Sequence, residues 1–179
     1  YTLTFPEAVE AAIIRAVVFL SSSWSRGDNR YADFVSKLIA ARKAAARRFH
    51  VRIYDVRVIV RCATREAVRA VTEQLLQSRQ TAIGIHHRFP SKGDPHLLNR
   101  VPDPAEENDQ FWVHQEKLVE GLDDPSFRMV AIFEPFSNAR SLVQQVGRII
   151  RNPEHIPDEV AFVFSHDSDS QHSYWERFQ

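Results

Sequence analysis

The sequence predicts an α/β domain, a mainly parallel sheet covered by helices on both faces. Three observations carry that reading. Short β-branched and aromatic runs alternate with segments of helical period along the chain. The runs are apolar on successive residues, as strands buried on both faces are. The chain has 179 residues, 44% hydrophobic and 26% charged, enough for one ordinary core.

The elements follow in order. Pro6-Glu7-Ala8 opens a short helix with Thr4 as N-cap, and Ala16 to Leu20 forms a buried strand. Ser21 to Asn29 is a loop. Asp33 to Arg48 is a helix that buries Phe34, Leu38 and Ala41, with Arg42, Lys43, Arg47 and Arg48 crowding its last turns. Val56 to Cys62 is a strand, and Thr64 caps a helix from Arg65 to about Ser78 on an Ala67, Val68, Val71, Leu75 stripe. Thr81 to Ile85 is the next strand. Arg88 to Asp109, rich in Pro, Asp, Asn and Glu, is a long surface loop. Phe111 to Val113 and Met129 to Phe133 are strands. Asn138 to Arg151 is a helix stopped by Asn152-Pro153, Val160 to Phe164 the last strand, and Ser170 to Phe178 a closing helix. No domain-sized linker or internal repeat interrupts the series.

Composition narrows the function classes. No apolar run reaches the roughly 20 residues that cross a bilayer, and with no basic n-region and apolar h-region visible at the start no signal peptide is expected. The single cysteine, Cys62, makes neither an internal disulfide nor a cysteine metal cluster, so a reducing, cytoplasmic setting is expected. The net charge of zero hides an asymmetry. Residues 1–80 hold 14 Lys/Arg against 7 Asp/Glu, and residues 81–179 hold 9 against 16. A basic first half suits a phosphate backbone as well as a solvated helix face.

The chemistry concentrates in two stretches. In Ser141 to Pro153, positions 144, 148 and 151 follow an i, i+4, i+7 spacing, so Gln144, Arg148 and Arg151 are expected on one helical stripe. Leu142, Val146, Ile149 and Ile150 fall to the other side. Two guanidiniums and an amide make a polyanion clamp, since the planar arginine fork matches phosphate oxygens in pairs. Gly147 costs the helix roughly 1 kcal/mol against alanine, which close approach of a ligand or another backbone would explain. In Lys117 to Pro125, between two strands and expected at a strand's carboxyl end, Gly121 permits a turn and Asp123 can hold a nucleotide hydroxyl or orient an arginine.

The order of strand, Glu-Gly-Leu-Asp, strand, and Gln-x-x-Gly-Arg-x-x-Arg on a helix resembles the second RecA-like lobe of superfamily 2 helicases and nucleic-acid translocases. Lys117–Pro125 resembles that family's motif V and Gln144–Arg151 its motif VI, while Val58 to Thr64 occupies the place of motif IV. The wording looks closer to restriction-enzyme-like DEAD/DEAH helicases than to DEAD-box RNA helicases, which usually carry His at the Gln144 position. The resemblance implies a RecA-like three-layer α/β/α fold over residues 51–179, with residues 1–50 an entry segment and basic helix. It implies that Arg148 and Arg151 reach the γ-phosphate of ATP held with Mg²⁺ by a first lobe. Gln144, Gly121 and Asp123 then belong to the nucleotide site, and Thr64 and Arg61 to the nucleic-acid grip, DNA favoured over RNA.

No G-x-x-x-x-G-K-[ST] loop and no acidic box ending a strand occur in the sequence, and Asp158-Glu159 precedes a strand. The expectation is therefore half of an engine, inactive alone and completed by an upstream ATP-binding lobe of the same parent chain. The alternative is a non-catalytic nucleic-acid-binding or protein-interaction module of the same shape. The histidines match no common metal spacing, and His166-Asp167-Ser168 lacks a nucleophile elbow. Trp112, Trp175, Tyr174 and Phe178 are read as packing residues before base-stacking ones.

Overall fold

A computed structural model describes residues 3–115 and 124–179. Seven parallel strands form one sheet in the order β1-β7-β6-β2-β5-β3-β4. In chain order they are β1 (Ala16–Ser22), β2 (Arg57–Arg61), β3 (Ala82–Ile85), β4 (Leu97–Leu98), β5 (Phe111–His114), β6 (Phe127–Ile132) and β7 (Val160–His166). The helices are α1 (Phe5–Glu10), α2 (Arg30–Arg48), α3 (Arg65–Gln77), α4 (Ala139–Ile149) and α5 (Gln171–Glu176).

Each strand feeds two cores. Val58 and Val60 of β2, with Phe162 and Phe164 of β7, pack under α2 and α3 against Phe34, Leu38, Val68 and Leu75. Their alternates Ile59, Ala161 and Val163 pack under α1, α4 and α5 against Phe5, Leu142, Val146, Ile149 and Trp175. This three-layer sandwich is why the strands read as unbroken apolar runs. Residues before position 50 belong to it, since β1 pairs with β7 over its full length and α2 buries Phe34, Val35 and Leu38.

Three expectations are corrected. The loop after Arg88 contains β4, which pairs Leu97 and Leu98 with Gly84 and Ile85. Arg42 is buried, donating from Nε to the Val56 carbonyl at 2.8 Å and from Nη2 to Ile53 O at 2.7 Å and Gln110 Oε1 at 2.6 Å. That leaves Lys43, Arg47 and Arg48 as the exposed cations of the last turns of α2. Finally, α4 ends at Ile149, so Arg151 lies beyond the helix, in a short antiparallel bridge with Ile14.

Candidate functional site

Parallel strands give the sheet two chemically different edges, and α4 runs from one to the other. Its N-terminus lies at the carboxyl ends of the strands, where Asn138 accepts from Ser141 N at 2.9 Å as N-cap. Its C-terminus lies at the amino ends. There Arg15, just before β1, donates from its backbone N to Ile150 O at 2.7 Å and from Nη1 to Ile149 O at 3.1 Å and Phe127 O at 3.4 Å. Arg15 also pairs with Glu159 at 2.8 Å, and Glu159 takes Arg128 on its other oxygen. The acid that precedes β7 thus neutralises two structural arginines.

Arg148 and Arg151 therefore belong to the amino edge, with Arg148 half-buried on the last turn of α4 and Arg151 exposed just past it. Gln144 is exposed one turn earlier, and a Cβ added at Gly147 would meet nothing within 4 Å. The helical stripe holds for Gln144 and Arg148; Arg151 is placed by the loop that follows. Asn152 fixes that loop, buried and donating from Nδ2 to Ala12 O and Ile156 O, both at 2.9 Å.

Gly121 and Asp123 lie outside the described residues. Their neighbour Asp124 is described, and it corrects the expected location of the stretch's end. Asp124 accepts from Arg57 Nη1 at 2.8 Å, and Arg57 opens β2, so Asp124 and Pro125 sit at the amino edge. Arg57 lies over the Trp112 and Phe127 rings and also donates to Glu107 O at 2.7 Å. It is a buried charge with its partners in place, and the long loop hangs on it.

The carboxyl edge holds Arg61 and Thr64. Arg61 donates to Glu134 O at 2.6 Å and lies 4.6 Å from the centre of the Phe136 ring. Glu134 returns the contact by accepting from Ala63 N at 2.7 Å. Thr64 caps α3, its hydroxyl accepting from Ala67 N at 3.1 Å while its own proton stays free to donate outward. Beside it Arg65, Arg69 and Arg88 share a groove of about 320 Å³ with Glu66 and Glu73, and Arg65 pairs with Glu66 at 3.1 Å.

Beside Arg61 lies a pair the spacing arguments missed. His114, fully buried at the end of β5, lies close to buried Gln145 of α4. Burial, then the Arg61 charge, pushes its pKa down to about 3, so the ring is neutral. The signal was available in the sequence, because Gln145 falls on the apolar side of α4 between Leu142 and Ile149.

The remaining sequence motifs resolve as packing. His166 Nδ1 faces both Ser168 Oγ, at 2.9 Å, and Asp167 Oδ1, at 3.0 Å, while Nε2 contacts Trp24 O. A relay needs its acid and hydroxyl on opposite ring nitrogens, so this is no triad. Trp112 and Trp175 are core residues, and Phe178 is exposed. Among the described residues no three of His, Cys, Asp and Glu converge on a point that could hold a metal ion.

Comparison with known proteins agrees with this architecture. The model of the family described as helicase conserved C-terminal domain matches residues 41–153. The C-terminal domain of the DEAD-box protein Dbp5 is similar in fold, with 16% identity, a TM-score of 0.54, and coverage of 94% of this chain and 86% of that one. The C-terminal part of the Fun30 ATPase domain gives 9% identity and a TM-score of 0.51 over 85% of this chain and 47% of that one. The Hef helicase domain of Pyrococcus furiosus gives 19% identity and a TM-score of 0.46 over 82% of this chain, which spans 28% of its length. No curated protein sequence matches the chain.

Proposed function

The chain belongs to the helicase conserved C-terminal domain family and has its RecA-like α/β fold, and from that premise we propose that it is the C-terminal motor lobe of an ATP-dependent nucleic-acid helicase or translocase. The observation that carries the proposal is the separation of chemistries on the two sheet edges. Arg148 and Arg151 occupy the amino edge, while Thr64 and the Arg65, Arg69, Arg88 groove occupy the carboxyl edge.

In this reading the amino edge faces ATP and Mg²⁺ held by another lobe. Two guanidiniums beside an open glycine surface fit a triphosphate, and the described residues offer no metal cluster of their own. ATP supplies the phosphoryl group. Arg148 and Arg151 stabilise charge developing on its oxygens, worth about 10³–10⁵ in rate where an arginine does this alone. Gln144 senses the same phosphates, and Gly121 and Asp123 are assigned to the same nucleotide site. The carboxyl edge grips a nucleic-acid backbone through the Thr64 hydroxyl and the groove arginines, with Arg61 holding the Glu134 loop in place behind them. DNA is the strand we favour.

The test is steady-state ATPase of the longest polypeptide that contains this chain, with and without single-stranded DNA or RNA. Turnover stimulated by nucleic acid and reduced about a hundredfold or more by Arg151→Ala or Arg148→Ala is expected. Turnover indifferent to both substitutions refutes the assignment and leaves a non-catalytic binding module.

A further inference from the structure

Neither sheet edge uses the basic run of α2. From Phe34 to Tyr54 the chain holds six Lys and Arg and no Asp or Glu. Arg42 is bonded inside the core, and Arg52 pairs with Asp55 at 2.7 Å. Lys37, Lys43, Arg47 and Arg48 are exposed, and none of them meets a carboxylate among the described residues.

The helix dipole accounts for Arg47 and Arg48, which stand in the last turn. It does not account for Lys37 and Lys43, because its effect fades beyond that turn. Lys43 and Arg47 lie four residues apart, a spacing at which like charges destabilise a helix. Neighbouring α3 shows the mixed signs of an ordinary solvated helix, with Arg65 on Glu66 at 3.1 Å and Glu73 beside the same groove as Arg69. The outer face of α2 thus presents an uncompensated positive field to solvent.

The helix period arranges these cations in two rows. Lys43 and Arg47 make one, and Lys37 and Arg48, about three turns apart, make the other. Exposed Ala40 and Ala44 fall between the rows, so no tall side chain separates them. The exposed positions from 36 to 48 carry no aromatic ring. Single-strand binders stack bases on aromatic rings, whereas a duplex offers a backbone with one charge per about 1.7 Å.

We propose that this face of α2 holds the phosphate backbone of a nucleic-acid duplex, as a second contact surface distinct from the carboxyl-edge grip. α2 runs from the carboxyl ends of the strands, after β1, to their amino ends, before β2, so it leads away from Thr64 across the outside of the domain. Such a surface needs neither Arg148 nor Arg151, and it serves a motor and a non-catalytic module alike.

The experiment is fluorescence anisotropy of a labelled DNA duplex titrated with this chain at salt concentrations between about 50 and 200 mM. Each phosphate contact contributes about 0.9 to the slope of log K against log salt. Lys43→Gln with Arg47→Gln is expected to reduce that slope by about 1.8 and to weaken binding roughly tenfold at the lowest salt. Lys43→Arg with Arg47→Lys keeps the charges and should keep the slope. Both pairs are exposed, so both variants should melt as the wild type does. An unchanged slope, a wild type that does not bind the duplex, or a labelled single strand that loses as much affinity as the duplex would each overturn the proposal. So would poly-L-glutamate binding this face more tightly than the duplex, which would identify an acidic protein partner instead. Arg65→Gln with Arg69→Gln separates the two surfaces. It should weaken the single strand and leave the contribution of Lys43 and Arg47 to the duplex slope in place. A single strand indifferent to that pair removes the carboxyl-edge grip and leaves the α2 surface standing.

Discussion

Arg57 and Asp124 meet at 2.8 Å across the amino ends of β2 and β6, with the guanidinium enclosed between Trp112 and Phe127. Arg57 is 6% exposed, so its charge depends on that carboxylate and on the carbonyls around it. Removing one partner of a buried pair strands the other, which costs about 3–5 kcal/mol. Asp124→Ala should therefore lower stability by about 3 kcal/mol, read as a lower urea midpoint. The same pair fixes Asp124 and the Pro125 that follows it at the start of β2. A midpoint within about 0.5 kcal/mol of wild type would show that the carbonyls alone hold Arg57.

Two groups, buried His114 and half-buried Asp109, oppose each other in acid. His114 is pushed down to about 3 from 6.5, so below pH 6.5 the unfolded chain takes a proton that the folded chain refuses, and stability falls with falling pH. Asp109 is pushed up to about 6 from 3.8, by burial first and then by the hydrogen bond and charge of Glu107. Its folded form takes a proton the unfolded form refuses, so that contribution is full below 3.8 and is lost as pH rises through 6. Between pH 4 and 6 the two slopes offset.

Substitution should separate them. Relative to wild type, His114→Gln should tilt the stability profile toward acid and Asp109→Asn toward neutral pH. One proton sets a limit of about 1.4 kcal/mol per pH unit, and water screening makes the half-buried Asp109 smaller. Urea unfolding of all three proteins at pH 4.5, 5.5 and 6.5 measures the tilts. Parallel profiles would refute the pairing.

Gly84 lies where α3 and β4 close on β3. A Cβ there would stand 2.7 Å from Thr72 Oγ1 and 2.9 Å from Leu97 Cδ2. Leu97 can yield, but Thr72 is fixed by its own bond to Val68 O at 2.7 Å. Gly84→Ala should cost about 1–3 kcal/mol by overpacking. Thermal melts decide it, and an unchanged melting temperature would mean that α3 slides freely on the sheet.

How much of this was legible in the sequence depends on whether a signal was local. The principal strands and the α3 and α4 caps were, because Thr64 and Asn138 announce themselves beside apolar runs. β4 was not, because two residues in a Pro- and Asp-rich loop carry no period. Arg42 was misread from its charge, although it lies four residues after Leu38 on the buried stripe, where a helix faces its core. Arg151 was placed on the helix because Ile149 and Ile150 continue the apolar pattern. Asn152-Pro153 disfavours helix at residue 152, and Arg15 N takes the Ile150 carbonyl. Which edge each motif occupies came only from pairing, since Arg15 and Asp124 find their partners far away in the chain.

Gly147 separates stability from function most cleanly. It lies inside α4, between buried Val146 and half-buried Arg148, and a Cβ there meets nothing within 4 Å. Within this chain, then, the glycine relieves no crowding, and alanine should raise helix stability by about 1 kcal/mol. That corresponds to about 2–4 °C in a domain of this size. The proposed function gives the opposite expectation for activity. If the Arg148 side of α4 closes on nucleotide or on a second lobe, the added methyl obstructs the approach, and ATPase of the parent polypeptide should fall about tenfold or more while the melting temperature rises. A variant that is more stable and equally active would show that nothing comes close to this face of α4 during turnover, and the placement of Arg148 on the phosphates would have to be abandoned with it.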